Sequence, residues 1–158
     1  MMVRRVVTEV VDGRSRVLVD GPSVDGWCEE LWVTDASRPD GVDPATYGDG
    51  PAHAPLEPPP GGARFRMVAV PPDAVMREAL AARDDAEPER AGVDADGAHR
   101  TRTIDYVYIL DGDVTLELDD DSVDLHEGDV VVQRASNHAW RNRNDHPIRL
   151  LVVMVALP

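Results

Sequence analysis

Residues 99–142 constrain the chain more than any other stretch, because they alternate apolar and polar side chains in short runs broken by turn residues. HRTRTIDYVYIL and VTLEL are separated by Asp111-Gly112-Asp113, and SVDL and DVVVQ by His126-Glu127-Gly128. A period of two is the signature of a half-buried strand, and turns this short predict antiparallel hairpins in a meander. Side chains on a strand alternate between faces, so His99, Thr101 and Asp105 share one face. His138, Trp140 and Asn142 share another if their strand is regular. The polar groups converge on one interior, and the predicted class is all-β.

At these residues the chain resembles the cupin superfamily. In the first motif of that family a His-x-His pair is followed by a Glu and then a Gly; His99, Thr101, Asp105 and Gly112 stand at those positions. The second motif opens on Gly-Asp and runs through Pro-x-Gly-x-x-His to an Asn. Here Gly128-Asp129 leads to His138 and Asn142, with Gln133 and Ala135 in place of the Pro and Gly. The resemblance covers about residues 60–157. It implies an antiparallel jelly-roll β-barrel with one short helix and long Pro/Gly-rich loops, and one divalent transition metal (iron, manganese, nickel or zinc) inside it. His99, Asp105 and His138 are the implied metal ligands, with Thr101 at the fourth position, through a water. Asp105 is one methylene shorter than Glu and is read either as a ligand or as a group orienting a His.

The remaining sequence supports one domain spanning 1–158. A chain of 158 residues buries roughly two thirds of its unfolded surface in a single core. The N-terminal part, 2–34, predicts a hairpin about Asp12-Gly13, a strand pair of the kind that covers a barrel edge, and then a strand from Trp27 to Thr34. Residues 35–62 carry many of the 13 prolines and 12 glycines and read as an ordered surface loop. ARFRMVAV predicts a strand with Arg64, Arg66 and Val68 on one face and Phe65, Met67 and Ala69 on the other. Asp73 is placed as the cap of a helix over 74–83. The acidic stretch 84–98 reads as a loop and a candidate lid over the barrel mouth. The last run, IRLLVVMVALP, is apolar enough to predict burial on both faces, which a homodimer would complete.

Composition excludes several partners. A net charge of -14 opposes nucleic acid and anionic membrane surfaces, and no run reaches membrane-spanning length, so a cytoplasmic protein is expected. The one cysteine, Cys28, beside Trp27, has no partner for a disulfide or a thiolate cluster and is read as a packing residue. Gly-rich phosphate loops, nucleophile elbows and paired zinc cysteines do not occur. Within the site, Arg134 is a candidate for binding a substrate carboxylate, Trp140 for an apolar wall, and Asn142 for a further substrate contact. Two functions stay open. One is a metal-dependent enzyme acting on a small organic or polyketide-like acid, as decarboxylase, isomerase, cyclase or dioxygenase. The other is a metal-free module that holds a small molecule.

Overall fold

The computed structural model describes residues 2–24, 28–46, 55–82 and 92–158. Among them are eleven strands, one α-helix and a 3-10 turn at Pro44–Thr46. The strands are β1 (Arg4–Val11), β2 (Arg14–Pro22), β3 (Glu29–Asp35), β4 (Arg38–Val42) and β5 (Ala63–Val70). Helix α1 (Asp73–Ala81) follows, then β6 (Thr103–Asp111), β7 (Val114–Leu118), β8 (Ser122–Leu125), β9 (Val130–Arg134), β10 (His138–Arg141) and β11 (Ile148–Ala156). Every pairing between strands is antiparallel.

A six-stranded sheet ordered β4-β3-β5-β11-β6-β9 faces a three-stranded sheet ordered β10-β7-β8. Val107, Ile109, Leu150 and Val152 from the first pack with Val114, Leu116 and Leu125 from the second in one core. This is the predicted all-β, jelly-roll arrangement. Its connections, however, differ from a meander of hairpins. Both edges of β6 are taken, by β11 and β9, so the turn at Asp111-Gly112-Asp113 carries the chain across to the opposite sheet. His126-Glu127-Gly128 carries it back, and the hairpin in this region is β7–β8 instead.

Gly112 is needed for the first crossover. Its φ is +72°, and a Cβ there would lie 2.5 Å from Cγ2 of the fully buried Ile148. Strain and overpacking act together, so Gly112→Ala should cost roughly 1–3 kcal/mol, read as a lower urea midpoint at unchanged slope.

Several local expectations are corrected. Residues 35–62 are not loop throughout, since β4 and the 3-10 turn form within them; 47–54 lie outside the described residues. Helix α1 carries no side-chain cap, and Pro72 holds the cap position. Asp73 instead accepts the Asn142 backbone N–H at 2.8 Å and donates its own N–H to the Asn142 carbonyl at 2.9 Å, which ties the helix to the end of β10. Of the candidate lid 84–98, residues 84–91 and their predicted loop lie outside the described residues. Residues 94–98 form a tight turn on the Asp94 carboxylate, which accepts N–H groups from Asp96 and Ala98. Trp27 also lies outside the described residues.

Burial of β11 on both faces is not met within one chain. Ile148, Leu150, Val152 and Met154 are buried, whereas the alternate residues are half-buried or exposed. Those residues join an apolar outer face. Cross-strand register sets Phe65, Val153, Tyr106 and Val132 in one row and Leu151, Tyr108 and Val130 in the next. Tyr106 is 52% exposed, Val132 57% and Val130 71%. The β1–β2 hairpin forms a separate sheet, held at its base by Arg5, which binds the Asp43 carboxylate and the Leu31 carbonyl. Val6, Val10, Val17 and Leu18 on it are exposed.

Candidate functional site

Strand β6 keeps a two-residue alternation, so Thr103, Asp105, Val107 and Ile109 all point into the barrel. Ahead of β6 the chain leaves the six-stranded sheet and bridges to the first residue of β10. His99 N–H donates to the His138 carbonyl, and His138 N–H donates to the His99 carbonyl, both at 3.0 Å. That reciprocal bridge sets the two imidazoles together, with ring centroids 4.3 Å apart and planes tilted by 57°.

Each ring is oriented by its own backbone. Nδ1 of His99 lies 3.1 Å from the Gly97 carbonyl, and Nδ1 of His138 lies 3.0 Å from the Ser136 carbonyl. A carbonyl only accepts, so each Nδ1 carries the proton and each Nε2 is left with a lone pair. Burial depresses the pKa of both imidazoles. That of His138 is pulled to about 4, chiefly by burial and further by the neighbouring His99. That of His99 is lowered by burial, against the Gly97 carbonyl and Asp94. At neutral pH the site therefore offers a pair of neutral acceptors. Trp140 meets His138 edge-on, with ring centroids 6.2 Å apart, and packs against the core.

Asp105 is 5% exposed, and burial raises its pKa although the Thr103 hydroxyl and the Arg66 charge oppose the rise. Thr101 and Thr103 share a hydrogen bond of 2.7 Å between hydroxyls. Across the sheet from Asp105 lies Gln133, its register partner and likewise 5% exposed. Oδ1 of Asp105 and Nε2 of Gln133 are both buried without a hydrogen-bond partner. Each such atom costs a fold about 1–3 kcal/mol, so a matching group from outside would be well received.

The expected metal set is only partly assembled. His99 and His138 come together, but among the described residues no third His, Cys, Asp or Glu completes a cluster able to hold an ion. Asp105 therefore is not placed as a third ligand. Its carboxylate is short and its surroundings are hydroxyls and an amide. Arg134 and Asn142, both read as candidate substrate contacts, lie in different surroundings. Arg134 is exposed, on the face opposite the inward Gln133. Asn142 is fully buried, its amide donating to the carbonyls of Val70 and His146 and its oxygen accepting from Asn144. It fixes the turn after β10.

Sequence reasoning missed an ionic cluster on the same inner surface. Arg64 and Arg66 of β5 turn inward, 2% and 1% exposed, and share the Glu30 carboxylate of β3. Arg66 also donates to the carbonyls of Pro55 and Leu56, and Arg64 to that of Glu57. Cys28, buried beside Glu30 at 3.6 Å, has its thiol pushed up to about 12 by burial, which disfavours the thiolate. The only advance signal was that the two arginines share a face.

Beside the turn that carries His138 opens a cleft of about 350 Å³, lined by Arg100, Leu118, Asp119, Asp120, Asp121 and Asn137 among others. A second cleft of about 240 Å³, around Asp113 and His126, lies at the other end of β7 and β8, away from the imidazole pair.

The family model described as Cupin_2, a cupin domain, matches residues 90–154. Residues 90–154 are a cupin domain. The match spans both histidines, Asp105, Gln133 and the Asn142 turn. Among curated proteins, the phomopsin biosynthesis cluster proteins C′ and D of Diaporthe leptostromiformis are each 55% identical over 47 residues, which is 29% of this chain and 25% of theirs. The oryzines biosynthesis cluster protein J of Aspergillus oryzae is 44% identical over 45 residues, 28% of this chain and 25% of its own length. The chain thus spans about a quarter of the length of the curated relatives it matches. Among solved structures, the Cupin_2 domain of an XRE family transcriptional regulator from Enterobacter cloacae is 14% identical, with 61% of this chain and 82% of that one covered and a TM-score of 0.40. An RmlC-like cupin with a double-stranded β-helix fold from Methanocaldococcus jannaschii is 16% identical, with 60% and 70% covered and a TM-score of 0.40. Among the described residues no helix is long and apolar enough to cross a membrane.

Proposed function

We propose that this cupin binds a small organic molecule at the His99–His138 end of its barrel. The observation that carries the reading is the pair of anchored imidazoles, each with Nδ1 held by a carbonyl two residues back and Nε2 presented bare. Neutral Nε2 atoms accept hydrogen bonds from a ligand's hydroxyl or N–H groups, and Trp140 supplies an apolar wall beside them. The relatives named for biosynthesis clusters support a small molecule as the ligand class.

The same bare nitrogens favour a second reading, in which the pair takes a divalent transition metal. His99 and His138 would hold it, and when bound it would supply Lewis-acid polarisation of a ligand carbonyl or carboxylate. The described donors fit two positions of such an ion and not the three of the implied set, so no reaction step is derived through it. Titration of the full, tag-free chain with nickel(II) separates the readings. One equivalent bound supports the metal-dependent enzyme, and no binding leaves the metal-free module.

The cupin is also proposed to pair with a second copy of itself. The apolar rows around Tyr106 and Val132, and the exposed valines of the β1–β2 hairpin, are two surfaces of one chain that a twofold axis would cover reciprocally. Light scattering at micromolar concentration should give twice 17.3 kDa, and Tyr106→Asp with Val132→Asp should return the monomer. A monomeric wild type would remove the dimer.

A further inference from the structure

We infer that Asp105 and Gln133 form a recognition pair for an uncharged amide edge, a carbonyl oxygen with an N–H beside it, on the molecule held at the histidine pair. The inference rests on the small-molecule reading above and names the ligand class. The two residues are direct register partners on β6 and β9 and point to the same side. Both are buried, yet Oδ1 of one and Nε2 of the other lack a partner. Their inner neighbours do not supply one. Met154, the register partner on the other side of Asp105, is apolar, and the hydroxyls of Thr101 and Thr103 are bound to each other. Thr103 also bonds to the Asp105 carboxyl, which fixes it in the barrel.

An acceptor beside a donor is complementary to a group that donates to Asp105 and accepts from Gln133. A lactam, a primary amide or an imide does both with one edge. A carboxylate does not, because it donates nothing and its charge faces Asp105. The approach selects the same way. The cleft beside the turn that carries His138 sets Asp119, Asp120 and Asp121 against one guanidinium, Arg100, in a chain of net charge -14, a balance that disfavours an anionic ligand there. The geometry thus departs from the organic acid that the family resemblance implied.

Saturation-transfer NMR on the full chain tests this with two probes, 2-pyridone and N-methyl-2-pyridone, which differ only in the N–H. Wild type should bind 2-pyridone at least about tenfold more tightly than its methylated analogue. Gln133→Met should lose that discrimination without a fall in Tm, because it removes a group the fold itself leaves unpaired. Asp105→Asn keeps the shape and the Thr103 contact but places a donor where an acceptor stood, so it should also lose 2-pyridone. Equal affinity for the two probes, no binding of either, or unchanged 2-pyridone affinity in Gln133→Met would overturn the inference. So would a Tm drop of several degrees in Gln133→Met, which would make the amide a partner within the fold. His99→Ala keeps the readings apart. Loss of both probes alike in that variant, with equal wild-type affinities, sinks the amide edge and leaves the binding site standing. Discrimination that persists in His99→Ala leaves the edge standing and removes the histidines from binding.

Discussion

Glu30→Ala is expected to destabilise the fold by roughly 3–5 kcal/mol, read as a lower denaturant midpoint and a lower Tm. Glu30 is fully buried, and its carboxylate lies between the guanidinium groups of Arg64 and Arg66. Taking it away leaves two buried cations in the barrel without the carboxylate they share. Truncation removes one carboxylate and leaves both desolvation penalties in place, which is why one side chain is expected to matter so much. A triple replacement, Glu30→Met with Arg64→Met and Arg66→Leu, should recover most of the loss, because apolar residues of similar volume need no counter-charge. If the single and triple variants were equally unstable, the cost would lie in packing and not in charge.

His138→Ala and His99→Ala are each expected to abolish most nickel(II) affinity, if the wild type binds the ion. Loss of an outer hydrogen-bond partner already costs a metal site roughly 10- to 100-fold, and here the loss is one of two nitrogens that meet the ion directly. Asp105→Asn should change affinity far less, since among the described residues no third donor is gathered around the pair. Calorimetric titration of the three variants beside wild type checks this. A large loss in Asp105→Asn would mean that the barrel closes on the ion and recruits the carboxylate. Equal affinity in every protein would place the metal elsewhere.

Much of this was legible in the sequence and some was not, for physical reasons that differ by residue. Alternation over 103–109 named the inward side chains of β6 correctly, because a two-residue period leaves one parity to the core. The spacing of His99 and His138 in their motifs anticipated two imidazoles that share a backbone bridge. Parity alone did not say which face of β5 is inside. Charge argues for Arg64 and Arg66 outside, and only Glu30, on another strand, reverses that. Turn chemistry told where strands end and not which sheet receives the next one, so the crossovers at Gly112 and Gly128 were read as hairpins. Asn142 fitted a substrate contact by its position, yet its amide is spent on carbonyls contributed by residues 70 and 146. Gln133 stood out as a departure from the motif. Its role needed the register that sets it beside Asp105.

The place of β11 between β5 and β6 sets a limit on how this chain can be made. Both neighbours are synthesised first, and neither can close its ladder until residues 148–156 have arrived. Half-made molecules on the ribosome therefore leave one edge of β5 and one edge of β6 without a partner. Closure is a late, long-range event, in which the last strand drives between two that are waiting for it, and such topologies fold slowly. The interval before that closure is when the chain is most open to aggregation, and a chaperone that holds nascent β-strands would have its work there.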